Sequence, residues 1–425
     1  MRAALWLMAL FGVAVVLALF AGNNHGTVTL YWHPHRVDLS LNLVLLALAL
    51  CFVVLHLAWR ALTALLRIPK QARSWRRLQQ ERTMVSALLD ALSHLVSGRF
   101  VRARKTAELV VALEDALHRS GDTLAHAPRL RTLAHLLAAE SAHALQDRTV
   151  RDQHYQHALD NAATRDAHDA RDGVLLRGAR WAFDDRDAAG ALQWLDQLPQ
   201  GAARRTVALR LRFKAARLAG KSRLALETAR LLTKHRAFSE LAGTSIARGL
   251  SIELIRGAHD PAQIQRAWDA LDTSEKMLPD VAIEAANRLL AHGGDVALSR
   301  QWLLPAWEAM AKQPDVLSAQ QRIALVRSLE SGFAMVGAAP DAPWLTRIEA
   351  AQVAHPRDPV LQYLAGIACM HLRLWGKAQQ MLKQSLSLLQ DADLRRDVWR
   401  AMAWMADQRG DEKAANEAYR EASKR

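Results

Sequence analysis

The chain has 425 residues, two cysteines, a formal net charge of +14, 51% apolar residues and only 6% aromatic ones. Cys51 and Cys369 cannot form a disulfide framework, and no Cys-x-x-Cys zinc spacing occurs. A composition dominated by Ala, Leu and Arg favours helix on intrinsic propensity and excludes collagen-like, mucin-like and low-complexity classes, while the length suggests two or three domains.

The first sixty residues read as a membrane hairpin. Residues 3–22 form an uncharged stretch of twenty, enough at 1.5 Å per residue to span about 30 Å of hydrocarbon. A second apolar stretch covers 39–59, broken only by Ser40, Asn42 and His56, and closes at Arg60. Trp6 and Trp59 fall at the same end of the two spans, where aromatic anchors belong. The competing reading of the first stretch is a cleaved signal peptide ending near Leu19-Phe20-Ala21. The connecting loop holds Arg36 and Asp38, whereas Arg60, Arg67, Lys70, Arg73, Arg76, Arg77 and Arg82 follow the second span with Glu81 alone against them. The positive-inside rule then puts both chain ends in the cytoplasm and the short loop outside. Nearly half of the basic excess sits in residues 60–82, and residues 61–82 read as a basic juxtamembrane helix, with Trp75 suited to the interface. Its expected partner is anionic lipid. Topology accounts for this run, so no nucleic-acid partner is inferred. In the loop, Thr27 to Trp32 alternates like a short strand. His33 and His35 in the same loop are a conceivable external metal pair, although no metal site is assigned.

Residues 83–425 read as a helical repeat domain. Helical stretches alternate with short breaks at Ser97-Gly98-Arg99, Asp184 to Asp187, Gly220-Lys221, Gly293-Gly294-Asp295 and Arg409-Gly410-Asp411. Trp399, Met402, Ala403 and Ala406, the Gly410 turn, then Ala415, Tyr419 and Ala422 resemble the tetratricopeptide (TPR) pattern, in which small residues let two antiparallel helices approach and an aromatic fills the gap. Gly366, Cys369, Trp375, Ala378, Leu382 and Ser385 occupy matching places upstream, and Ala91, Gly98, Phe100, Ala103 and Ala107 fit as well. Ala191 and Ala225 stand one TPR period apart, while residues 120–170 and 240–350 fit loosely. The predicted fold class is all-α, a two-helix transmembrane hairpin followed by a TPR-like α-solenoid; a non-repeat helical bundle is the alternative.

Signatures of catalysis are missing. The sequence contains no Gly-x-Gly, no phosphate loop and no His-Glu-x-x-His. Gly243-Thr244-Ser245 mimics a nucleophile elbow, but the turn needs a preceding strand; here it is expected to start a helix with Thr244 or Ser245 as cap. Seven of the 17 histidines fall between His118 and His168. His154 and His157 share a helix face and are the candidate haem ligands; the plain alternative is that they are ordinary solvated or half-buried residues. The array tryptophans, Trp181, Trp194, Trp268, Trp302, Trp307, Trp375, Trp399 and Trp404, mostly sit at core spacing.

The order of parts carries a specific resemblance. Gly26 to Leu30 and Val37 to Leu41 in the loop, Leu65-Leu66-Arg67-Ile68-Pro69 after the second span, Trp75-Arg76-Arg77, and Leu95 to Lys105 are similar to the HemY family of proteobacterial inner-membrane proteins associated with haem biosynthesis, most specifically over 26–135. A flavin-dependent protoporphyrinogen oxidase shares that family name, and the missing Gly-x-Gly separates this chain from it. The resemblance implies a non-enzymatic inner-membrane scaffold that organises or hands over porphyrin intermediates among late haem-pathway enzymes such as ferrochelatase. Two alternatives stand beside it: direct haem or porphyrin transfer, and a general envelope TPR scaffold.

Overall fold

The computed structural model describes residues 8, 11–16, 18–19, 22, 26–119, 124, 126–333 and 342–424, without the side chains of 64–74, 77 and 165. These residues are almost wholly helical and divide into two compact units, 1–170 and 171–425. Half of the expected first span, 3–22, lies outside the described residues, and those described within it are helical and exposed.

Unit 1 opens with an antiparallel β-hairpin, β1 (Thr27–Trp32) and β2 (His35–Ser40), in a register that pairs Thr27 with Ser40 and Trp32 with His35. The alternating run is therefore one arm of a two-stranded ribbon. The ribbon carries the chain to Ser40, so helix begins at Leu41 and not at Leu39. Helix α1 (Leu41–Val96) then runs without a break for 56 residues, roughly 84 Å at 1.5 Å per residue. Its Leu41–Thr63 segment is long and apolar enough to cross a membrane, with mean hydropathy 2.6 and none of it buried in the protein. This is the one such helix among the described residues. The boundaries expected at Arg60 and Arg82 are not breaks: Ala, Leu and Arg keep helical propensity high across both, so the basic stretch belongs to the same rod as the span.

The far end of α1 starts the helical array. Met84, Ala87 and Ala91 form a buried stripe against α2 (Phe100–Arg119), which answers with Ala103, Ala107, Val110 and Leu117. Helices α3 (Ala127–Ala144) and α4 (Arg148–Ala162) add the next pair. Ala91, Ala107 and Ala138 meet with no exposed surface, which is why these helices carry alanine there: a larger side chain would hold the backbones apart.

Unit 2 continues with α5 (His168–Asp184), α6 (Ala188–Asp196), α7 (Gln200–Ala203), α8 (Thr206–Leu218), α9 (Ser222–Lys234), α10 (Glu240–Arg256), α11 (Pro261–Asp269), α12 (Thr273–Lys276), α13 (Pro279–Ala291), α14 (Val296–Lys312), α15 (Ala319–Phe333), α16 (Ala342–Ala354), α17 (Pro359–His371), α18 (Trp375–Leu388), α19 (Ala392–Gln408) and α20 (Glu412–Ser423). The unit is an α-solenoid in which α8 packs on α9, α13 on α14, α17 on α18 and α19 on α20. Short helices α11 and α12 interrupt the pairing, which explains why residues 240–350 match the repeat pattern loosely. One core runs from Ile283 to Met405 and another from Ala216 to Trp302. Four of the eight array tryptophans, Trp181, Trp268, Trp302 and Trp307, are buried, and Trp268 stacks on Trp302 at 4.7 Å; Trp194, Trp375 and Trp399 are half-buried, and Trp404 is exposed, contrary to its spacing.

All five expected breaks are left-handed turns. Gly98, Gln146, Arg186, Gly220, Arg236, Gly293, Arg373 and Gly410 have φ between 54° and 74°. After four of them an aspartate caps the next helix: Asp147, Asp187, Asp295 and Asp411 each accept a backbone N–H from the first turn. Two local expectations are corrected. Gly243 to Ser245 lie inside α10, which Ser239 caps through Ala242 N–H at 3.3 Å, so Thr244 and Ser245 are not caps. Tyr419 does not fill the core: it is 46% exposed and donates to Asp407 at 2.8 Å, because alanines at 415, 418 and 422 already close the contact of α20.

Two substitutions test this geometry. Arg373 is exposed in the left-handed region, so Arg373→Gly is expected to stabilise unit 2 by about 0.5–1 kcal/mol. At Gly366 a Cβ would stand 2.7 Å from Leu382 Cγ, which is fully buried, so Gly366→Ala is expected to cost about 1–3 kcal/mol despite its better helix propensity. Urea unfolding of the full chain reads both.

Candidate functional site: a histidine cluster and a basic groove

Two features of the array carry chemistry, one in each unit. The first lies where α2, α3 and α4 meet. His154 and His157, one turn apart on α4, face α3 and meet His135 there, with ring centroids 5.3 and 5.1 Å from that of His135. His135 Nδ1 and His154 Nδ1 are 3.0 Å apart, close enough to share one proton. The other nitrogen of His154 faces Glu108 of α2 at 3.5 Å, and Arg104 of the same helix lies 3.6 Å from Glu108. Glu114 and Asp115 of α2 both bind Arg131, at 2.7 and 2.8 Å.

This arrangement differs from an open ligand pair. Both ring nitrogens of His154 are turned to protein groups, while His157 is exposed. Sequence reading missed His135, the member that organises the others; its spacing of 19 residues from His154 carries no signal until two helices fold together. Among the described residues no set of three or more histidine, cysteine or acidic side chains is placed to hold a metal ion. Burial, then the neighbouring His154, His157 and Arg131, push the His135 imidazole down to about 4, while Asp115 opposes them. Burial also lowers His154, against Glu108. Burial therefore favours the neutral imidazoles of His135 and His154, which join α3 to α4 through their 3.0 Å contact.

The second feature is a groove of about 540 Å³ between α5 and α8 of unit 2. Arg177 and Arg180 stand three apart on α5, and Arg210 and Lys214 four apart on α8, so each pair projects from one helix face into the groove. Leu176, Val207 and Leu211 supply apolar surface, and no acidic side chain lines it. Arg180 also binds Asp184 at 3.0 Å, and Arg205 ties the start of α8 to Asp172 of α5 at 3.1 Å. Gly173 borders the groove with no atom within 4 Å of where a Cβ would stand, which leaves the groove open at that point. Four cations over an apolar floor can hold an anionic partner with apolar side chains, such as an acidic peptide segment. The sequence holds these residues at plain helical spacing, but their convergence across two helices appears only in the fold.

The comparisons bear on both units. Residues 26–146 match the family model described as HemY protein N-terminus, which takes in β1 through α3 and most of the helices that build the histidine cluster. No curated protein matches the chain. Among solved structures the chain is similar to a chain of the APC/C hetero-tetramer Cut9-Hcn1, at 15% identity and TM-score 0.29 over 78% of this chain. This chain spans 64% of that one's length, less than two thirds. The TPR domain of P58(IPK) aligns at 14% identity and TM-score 0.21, over 80% of this chain and 99% of that one.

A pH experiment tests the histidine joint. The folded-state value of His135 lies below the ordinary 6.5, so its contribution is complete above that pH and is lost as pH falls through about 4. Thermal unfolding of the full chain is expected to show a loss of up to about 3 kcal/mol across this window. His135→Gln is expected to flatten that part of the slope.

Proposed function

We propose, from a chain whose residues 26–146 form a HemY N-terminal domain continued by TPR-like helix pairs, a membrane-tethered scaffold that docks acidic segments of late haem-pathway enzymes. The basic groove between α5 and α8 carries this reading. Stacked helix pairs offer extended grooves, and scaffolds use them for binding without chemistry of their own. The haem assignment draws on the HemY likeness, and ferrochelatase is the first candidate partner. Porphyrins are apolar and membrane-prone, so a tether at the bilayer shortens their path between enzymes.

The membrane part of the proposal uses α1. Leu41–Thr63 has the length and hydropathy of a span, and the basic residues from Arg60 onward favour a cytoplasmic array with both termini on that side. Because α1 continues out of the span as one helix through Pro69, its basic residues climb away from the bilayer. Lipid contact is therefore assigned to those nearest the span, Arg60 to Lys70, within about one Debye length of the surface.

Direct haem ligation by His154 and His157 is the weaker reading, because His154 spends both nitrogens on His135 and Glu108. A porphyrin held by its carboxylates in the basic groove would fit the same cations and is separated by the test.

A photo-crosslinker at Val207 in native membranes is expected to capture ferrochelatase or another late haem enzyme, and Arg210→Glu with Lys214→Glu to reduce capture at least about tenfold. Gly173→Leu, whose Cβ would meet no atom within 4 Å, narrows the groove and is expected to do the same. Capture that consistently lacks every late haem enzyme would overturn the partner assignment. A porphyrin-induced absorbance change lost in the same variants would favour transfer over scaffolding.

A further inference from the structure

Helix α1 has three faces beyond the span, and two of them are accounted for. Met84, Ala87 and Ala91 are buried against α2, and charged or polar residues such as Arg76, Thr83 and Asp90 face solvent. The third face lies roughly 155° round the helix from the buried one at 100° per residue. It reads Trp75, Leu78, Arg82, Val85, Leu89, Leu92 and Val96. The steps along it are three, four, three, four, three and four, the 3.5-residue repeat of a coiled coil sustained over about three heptads. Every member is exposed: Trp75 68%, Leu89 61% and Val96 81% are the extremes of an otherwise continuous apolar seam. A helix that merely faced water would not keep this period, and one packed on the array would not leave it bare.

We propose that this seam is a parallel, in-register coiled-coil interface with a second copy of the same chain. Three observations commit it to that occupant. The first is geometry. Trp75 lies twelve residues beyond Thr63 on one helix, about 18 Å along its axis, and a bend at Pro69 of the size proline induces still leaves it past a headgroup layer roughly 5–8 Å thick. Lipid therefore cannot cover the seam when α1 stands across the bilayer. The second is orientation. Two copies anchored in one membrane present this seam at the same height and in the same direction, so a self-complementary parallel pair needs no rearrangement. The third is charge. With Trp75, Arg82, Leu89 and Val96 at the a positions and Leu78, Val85 and Leu92 at d, Glu81 falls at g, beside the a position of the neighbouring helix. Arg82 of each copy then faces Arg82 of the other across the axis, and Glu81 at g of each copy offsets that repulsion, twice by symmetry, so the one charged position in the seam fixes its register. The remaining e positions, Gln79, Ser86 and Ser93, bring no like charges together.

The orientation argument rests on the reading of Leu41–Thr63 as a span, while the period and charge pattern do not. In a Cys51→Ser background, which removes the exposed native thiol, Leu89→Cys and Val96→Cys are expected to form disulfide-linked homodimers on oxidation of native membranes. Asp90→Cys, one residue off the seam, is expected to crosslink at least about tenfold less. Native mass spectrometry of the full chain in detergent is expected to show a dimer, converted to monomer by Val85→Glu with Leu89→Glu. Both residues are exposed in the single chain, so these changes leave the fold intact. Equal crosslinking at 89 and 90, a monomer in the unsubstituted chain, or a crosslinked species of another mass would each overturn the proposal. Crosslinking at Val85 but not at Val96 would overturn the parallel register. Carbonate extraction reads the anchor separately: a chain released from membranes that still crosslinks at 89 refutes the span and leaves the seam standing.

Discussion

The array depends on how closely two antiparallel helices approach. At Ala91, Ala107 and Ala138 three helices meet with no accessible surface, and at Gly366 the backbone comes within van der Waals reach of Leu382. Contacts this close need a small residue on at least one side and a turn tight enough to reverse the chain in two or three residues. The left-handed residue that ends the first helix, followed by an aspartate that caps the second, satisfies the freed carbonyls and amides of both termini. Everything else in the array is built on that unit: the grooves between pairs, the cores that run along them, and the exposed arginines carried on their outer faces.

Charge in this chain works at three distances. Near helix ends it is capping and local. Between helices it is pairing, as where Arg230 of α9 forks onto Glu275 at 2.9 and 2.5 Å and reaches Asp272 at 3.0 Å, or where Arg256 of α10 holds Glu284 of α13. These pairs set which helix sits beside which, although exposed ones add little to stability. The basic stretch of α1 and the convergence of Arg177, Arg180, Arg210 and Lys214 on one groove concentrate positive charge at two places. Nearly half of the net charge of +14 sits in the first of them.

The helical repeat was legible because its cues are local. A glycine or Asp-rich break every helix length and alanines at fixed spacing need no knowledge of the fold. Arg186 and Arg373 were harder, since arginine has no preference for the left-handed region; only the flanking Asp187 marked the first of them. Tyr419 misled because an aromatic at the repeat's gap-filling position is core only when small neighbours leave a gap, and here they do not. The histidine pair on α4 was visible as a pair, but its meaning depended on His135, which belongs to another helix.

The sequence by itself determined the helical class, the turn positions, the apolar span and the likeness to HemY, because each is written in short-range pattern or composition. Tertiary structure decided what those elements do together. It joined span and array into one helix: Pro69 removes a single backbone hydrogen bond inside α1, and the helix continues through it. It turned His154 away from a free ligand by closing both its nitrogens, and it brought two pairs of cations from separate helices to one groove. It also showed which side of α1 the array covers, leaving the heptad seam bare. The physical reason is the same in each case: helical spacing tells which residues share a face, and only packing tells what that face meets.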